Sequence, residues 1–179
     1  MQRLIILLLT ILFITSCKTG DTEKLVTIEN KYSISIPSFL VKGSNLNEDA
    51  SLQYLHAWKE FYVVVIDESK SEMQKALVDN NLTDSYSNDI KGYSDLVLKG
   101  YEKTVSISSK SNAIDTLINN MPARLITISG RTKGIDIFYS LAFIQGKERY
   151  YQIAAWTLSS KEYEYKDKMN RIMYSLKEL

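Results

Sequence analysis

The chain has 179 residues, with 22 Lys and Arg against 21 Asp and Glu, one His, one Cys, two Pro and 45% apolar residues, the profile of one ordinary globular domain. The balanced charge offers no basic stripe to neutralise phosphates, which speaks against a nucleic-acid binder, and the aromatic and β-branched content excludes a disordered chain. One Cys excludes an internal disulfide scaffold and any zinc site built from several thiolates, and one His removes the His-rich alternatives, so the composition points to no metal and no cofactor.

The first residues form an address. Arg3 is followed by the apolar run Leu4 to Leu9 and, after Thr10, by Ile11, Leu12 and Phe13. This stretch is too short to cross a hydrocarbon core of ~30 Å. A charged start, an apolar stretch of this length and then small residues make a secretory signal, absent from the mature protein. The sequence that follows, Ile14-Thr15-Ser16-Cys17, resembles the lipobox of bacterial lipoproteins. The resemblance implies that Cys17 is diacylated on sulfur, that the bond after Ser16 is cut, and that Cys17 becomes the acylated N-terminus. The alternative is a free thiol beside an ordinary cleavage site. Two or three acyl chains, at ~0.8 kcal/mol per buried methylene, would hold the protein on a membrane. Loss of Arg3 with the signal leaves 21 positive against 21 negative side chains, so the lipid and not a basic patch should carry the membrane contact. Lys18 stands where an Asp retains lipoproteins in the inner membrane of some bacteria, which favours the outer membrane where a cell has one. The expected organisation is a signal over 1–16, a lipidated Cys and polar tether over 17–24, and a single domain over 25–179.

Along the domain, Tyr32 to Ile36 alternates apolar residues with Ser33 and Ser35 and is stopped by Pro37, which predicts a half-buried strand. Gly43 to Asp49 is a polar turn. Ala50 to His56 and Phe61 to Asp67 read as antiparallel neighbours, and Phe61 to Ile66, apolar on both faces, as a central strand covered on two sides. Ser69 and Glu72 fit a capping box opening a helix with Met73, Ala76 and Leu77 on one face, ending near Asn80 and Asn81. The spacing of Ile90, Tyr93, Val97 and Tyr101 predicts a second helix from about Ser87 to Tyr101, followed by alternation over Thr104 to Ser108. After a turn at Asn119, Asn120, Met121 and Pro122, three strands follow at Arg124 to Ser129, Ile135 to Gln145 and Arg149 to Thr157. Their links are too short for parallel crossovers. Ser159 and Glu162 suggest another capping box, opening a final helix with Tyr165, Met169, Ile172, Met173 and Leu176 on the sheet-facing side.

The order of elements and several short segments resemble the PsbP-like domains. Asn120-Met121-Pro122-Ala123-Arg124 is similar to the turn that opens that family's C-terminal meander, although Met121-Pro122 stands where the family often has Gly. Tyr150-Tyr151-Gln152-Ile153-Ala154-Ala155-Trp156-Thr157, the terminal helix with Ile172 and Ser175-Leu176, and the opening Tyr32-Ser33-Ile34-Ser35-Ile36-Pro37 match further. The resemblance covers most of residues 25 to 177. It implies an α+β fold, an α/β/α sandwich with a mainly antiparallel sheet and helices on both faces, and members that act by binding or assembly without catalysis. Since one fold hosts many functions, no partner is transferred with it.

Candidate sites are few. His56 is conceivable as a general base with Asp67 or Glu68, but no spacing directs a nucleophile to it. Asp67 and Glu68 are equally expected beside a helix N-terminus, where negative charge is favourable. Asn45, Asn47, Glu48 and Asp49 offer oxygen ligands without the alternation and turn Gly of a calcium loop. Among twelve Tyr, most should cover the core, while Trp58, Tyr150 and Trp156 form the candidate binding surface. The sequence therefore reads as a lipid-anchored envelope lipoprotein with a non-catalytic module for a protein partner; the alternative is an aromatic-lined cleft for a small molecule or glycan.

Overall fold

A computed structural model describes residues 22–179. The signal, the Ser16–Cys17 bond and the first part of the tether lie outside the described residues. Strands β1 (Glu23–Ile28) and β2 (Tyr32–Pro37) form a hairpin, and β3 (Val41–Lys42), β4 (Ala50–His56) and β5 (Phe61–Ser69) follow. Helices α1 (Lys70–Asp79) and α2 (Ile90–Thr104) come next, then β6 (Ser106–Lys110), β7 (Ile114–Ile118), β8 (Met121–Thr132), β9 (Ile135–Gln145) and β10 (Arg149–Leu158). Helix α3 (Glu162–Ser175) and the short β11 (Lys177–Glu178) close the chain.

All pairings are antiparallel. The large sheet runs β3-β4-β5-β10-β9-β8-β6, with β7 sharing the β6 edge of β8, and a small sheet runs β1-β2-β11. Because successive strand residues point to opposite faces, β5 serves two cores at once. Phe61, Val63 and Val65 meet Ile34, Ile36, Met169 and Ile172 under the small sheet and α3, whereas Val64 packs with Met73, Leu77, Tyr93 and Leu141 under α1 and α2. Helices thus cover both faces of the sheet, as the α+β sandwich requires, and β5 is the doubly covered strand that its unbroken apolar run announces.

Several expectations need correction. Strand β1 begins at Glu23, inside the polar segment 17–24, and the sequence pattern announces neither it nor β7. Strand β2 is buried on both faces, because Ser33 is covered and Ser35 exchanges hydrogen bonds with Ser175 of α3. Helix α2 starts at Ile90, not Ser87: Asp89 caps it by accepting from the Gly92 N–H at 2.8 Å. Only Asn119 and Asn120 form the β7–β8 turn, both with positive φ, and Met121 and Pro122 already pair with Ile118 and Leu117. The Ser69 cap forms, with Ser69 Oγ accepting from Glu72 N at 3.4 Å, but Ala76 faces outward. Ser159 makes no cap, because Ser159–Lys161 is a 3₁₀ turn leading into α3. Among the described residues no helix is long and apolar enough to cross a membrane.

Candidate functional site

On the α1/α2 side of the large sheet, the strand register builds a row of aromatic side chains. Trp156 of β10 lies opposite Tyr62 of β5 on one side and Tyr139 of β9 on the other. The Tyr62 and Trp156 rings stack at 5.2 Å and 11°, Trp156 and Tyr139 are 6.0 Å apart, and Tyr101 of α2 meets Tyr139 edge-on at 5.4 Å. These separations are those of mutually supporting aromatic pairs.

The helices leave this row partly open. An open cleft of about 410 Å³ lies over β5 and β10, bounded by Leu46, Val97, Tyr101, Tyr139, Gln152 and Trp156. Gln152 Nε2 donates to the Tyr101 hydroxyl at 3.0 Å, which fixes the amide at the cleft wall. Burial pushes the Tyr101 and Tyr139 phenols above their ordinary value, so both are neutral at physiological pH. Asn47 adds a second amide from the loop before β4. The cleft therefore offers flat apolar rings with a few neutral hydrogen-bonding groups and no charged side chain in its lining, a composition suited to docking by stacking and amide contacts.

The other sequence candidates are dispersed. Trp58 sits in the 3₁₀ turn between β4 and β5 and is 93% exposed. Tyr150 belongs to the core and cannot contribute to a surface: it stacks on Tyr93 at 4.7 Å and donates to Asn88 Oδ1 at 3.1 Å. Its position on β10 points it under α1 and α2, two residues before Gln152 and six before Trp156 on the same face. Tyr93, Tyr151 and Tyr165 are likewise core residues, whereas Tyr163 is fully exposed.

His56 caps the start of the same 3₁₀ turn, its Nδ1 accepting from Lys59 N at 3.2 Å, and its ring lies edge-on to Phe39 at 5.8 Å. It pairs with Phe61, at the opposite end of β5 from Asp67. Asp67 lies six steps along the strand from Phe61, roughly 20 Å, so His56 and Asp67 or Glu68 form no acid–base pair. Asp67 is not at a helix start: it lies within β5, buried, and takes Lys31 Nζ and Arg149 Nη1, each at 2.8 Å. In the 45–49 loop Asn47 Oδ1 accepts from Asp49 N, and Gln53 Oε1 accepts from Leu46 N and Asn47 N. Those oxygens organise the loop itself. Among the described residues there is no group of three His, Cys, Asp or Glu that could hold a metal ion.

No family model and no curated protein matches this sequence. Solved structures do match. The chain is similar to cyanobacterial PsbP from Synechocystis sp. PCC 6803, with a TM-score of 0.59 and 10% identity over 93% of this chain and 99% of that one. It is similar to LpqN, involved in cell envelope biogenesis of Mycobacterium tuberculosis, with a TM-score of 0.54 and 10% identity over 88% of this chain and 90% of that one. The Ran-binding protein Mog1p of Saccharomyces cerevisiae aligns over 88% of this chain and 96% of its own, with a TM-score of 0.49 and 11% identity. The fold of the chain is PsbP-like, as the resemblance in its sequence implied.

Proposed function

We propose that this chain is a lipid-anchored lipoprotein of the bacterial cell envelope whose PsbP-like domain is a non-catalytic binding or assembly module for a protein partner. The observation that carries the reading is the row Tyr62, Trp156, Tyr139, held in fixed geometry by strand register, of which Trp156 and Tyr139 line the cleft left open by the helices. Rigid, half-buried aromatic rings lining a concavity are what protein interfaces use as anchors, since little conformational entropy is lost on docking. The lipobox residues Ile14 to Cys17 supply the anchor, and the envelope role named for LpqN agrees with the address. Trp156 is the binding residue of the candidate surface.

The test is affinity isolation of the lipidated protein from detergent-solubilised envelopes, followed by identification and stoichiometry of co-purifying proteins. A stoichiometric partner is expected, and Trp156→Ala should weaken it by about 30-fold or more, corresponding to loss of an interface anchor worth about 2 kcal/mol. A partner retained at full affinity by Trp156→Ala would remove the cleft from the interface. For the anchor, Cys17→Ser should move the protein to a soluble fraction, and persistence of that variant in washed membranes would defeat the lipoprotein reading. A second reading, a small-molecule or glycan site, is favoured by the amides of Gln152 and Asn47 beside the rings in a cleft of about 410 Å³. A protein that isolates alone but carries a bound small molecule would select it.

A further inference from the structure

The point at which the chain enters the domain is surrounded by exposed aromatic and aliphatic side chains and lysines. Thr22, the first described residue, has its carbonyl on Ser38 N at 2.8 Å. Next to Ser38, Phe39 lies under Lys59 Nζ at 5.3 Å, and Lys59 is the neighbour of Trp58. Lys161 Nζ donates to the Lys59 carbonyl at 3.2 Å, which brings the start of α3 and the fully exposed Tyr163 to the same end. On the other side, Lys24 Nζ donates to the Leu40 carbonyl at 2.5 Å, and Val41, 59% exposed, follows with Lys42.

Only four residues lie between Cys17 and Thr22, five steps of the chain. Even fully extended they span at most about 18 Å. If Cys17 is acylated, this end of the domain is therefore held within about 18 Å of the lipid, whatever path the tether takes. The side chains there have the composition of a headgroup-zone contact. Trp and Tyr combine an apolar ring with a polar tip, and lysines lay an apolar stem on the surface while keeping the ammonium at phosphate level. Three carboxylates nearby are engaged, Glu60 accepting from the Tyr62 hydroxyl, Glu23 from Arg171 and Glu162 from Lys166, while Glu164 beside Tyr163 is exposed.

We infer that the end of the domain carrying Trp58, Val41 and Tyr163, with Lys24, Lys42, Lys59 and Lys161 around them, lies on the headgroups of the bilayer that anchors Cys17. The inference rests on the lipoprotein reading. The acyl chains hold the protein on the membrane and this face sets how it stands there. Trp58 then belongs to the membrane contact, leaving Trp156 as the aromatic anchor for a partner.

The test uses the two tryptophans of the chain as separate reporters. The native lipidated protein and its Trp58→Phe and Trp156→Phe variants are reconstituted in phosphatidylcholine and phosphatidylglycerol vesicles with acyl chains brominated near the headgroup, and the acylation state of Cys17 is read by mass spectrometry on the same samples. Trp58 alone, in Trp156→Phe, should lose about half or more of its emission, and Trp156 alone, in Trp58→Phe, far less. The difference between native protein and Trp58→Phe gives the same quantity without altering the cleft. Acylated protein whose Trp58 stays unquenched overturns the orientation and leaves the anchor standing. Unmodified Cys17 overturns the anchor and this inference with it. A photo-crosslinker at position 58 that captures a protein instead of lipid in native envelopes would reassign the face to a protein contact.

Discussion

Asp67 and Arg149 are diagonal neighbours on adjacent strands, joined at 2.8 Å, with the carboxylate almost sealed and the guanidinium about a third exposed. Lys31, from the β1–β2 turn, reaches the same carboxylate oxygen at 2.8 Å. One buried anion thus fastens the small sheet to the large one. The asymmetry of burial decides what each substitution costs. Removing both cations by Lys31→Met and Arg149→Met strands the carboxylate in a dry site, an expected loss of about 3–5 kcal/mol. Asp67→Asn leaves two cations that water can reach and should cost only about 1–2 kcal/mol. Denaturant unfolding of the three proteins checks the order, and an Asp67→Asn variant as unstable as the double variant would contradict it.

Two glycines of α2 should respond oppositely to alanine. A Cβ at Gly92 would lie 1.9 Å from the Ser87 carbonyl oxygen, a backbone atom that cannot swing away, whereas at Gly100 it would meet nothing within 4 Å. Gly92→Ala should therefore destabilise by about 1–3 kcal/mol through displaced backbone. Gly100→Ala should stabilise by roughly 0.5–1 kcal/mol, because glycine inside a helix loses more conformational freedom on folding than alanine does. Urea midpoints at unchanged slope would register both, and equal signs would show that the Ser87 segment is not held against the first turn of α2.

The signals legible in the sequence were those contained within one element. The apolar run Phe61 to Ile66 announced a strand between two layers, and Met169, Ile172 and Met173 announced the buried side of α3. What escaped depends on neighbours. Strands β1 and β7 are short edge strands of mixed polarity, drawn into place by β2 and β8 and not by a pattern of their own. Ser159 had the spacing of a cap, but the 3₁₀ turn took that position. The aromatic row required pairing register: Tyr62, Tyr139 and Trp156 are far apart in the chain, and no single-strand alternation shows that they stand side by side. Tyr150 misled for the same reason, since the face it occupies is the one that α1 and α2 cover.

The buried phenols make alkaline stability a sensitive probe of the two cores. Tyr32 lies in the core under the small sheet and Tyr93 in the core under α2, and burial pushes both hydroxyls well above the ordinary value of 10.0. For each, the native state keeps its proton where the unfolded chain has lost it. The unfolded state then binds fewer protons, so stability is fully present below pH 10 and falls as the pH rises above it, by up to about 1.4 kcal/mol per pH unit for each phenol. Denaturant titrations at successive alkaline pH values should show that decline, and Tyr93→Phe should lessen its slope by one phenol's share. The tyrosinate absorbance of these residues should develop together with loss of the circular dichroism of the fold. Ionisation of all twelve tyrosines with the fold intact would mean that the phenols are not sealed from water.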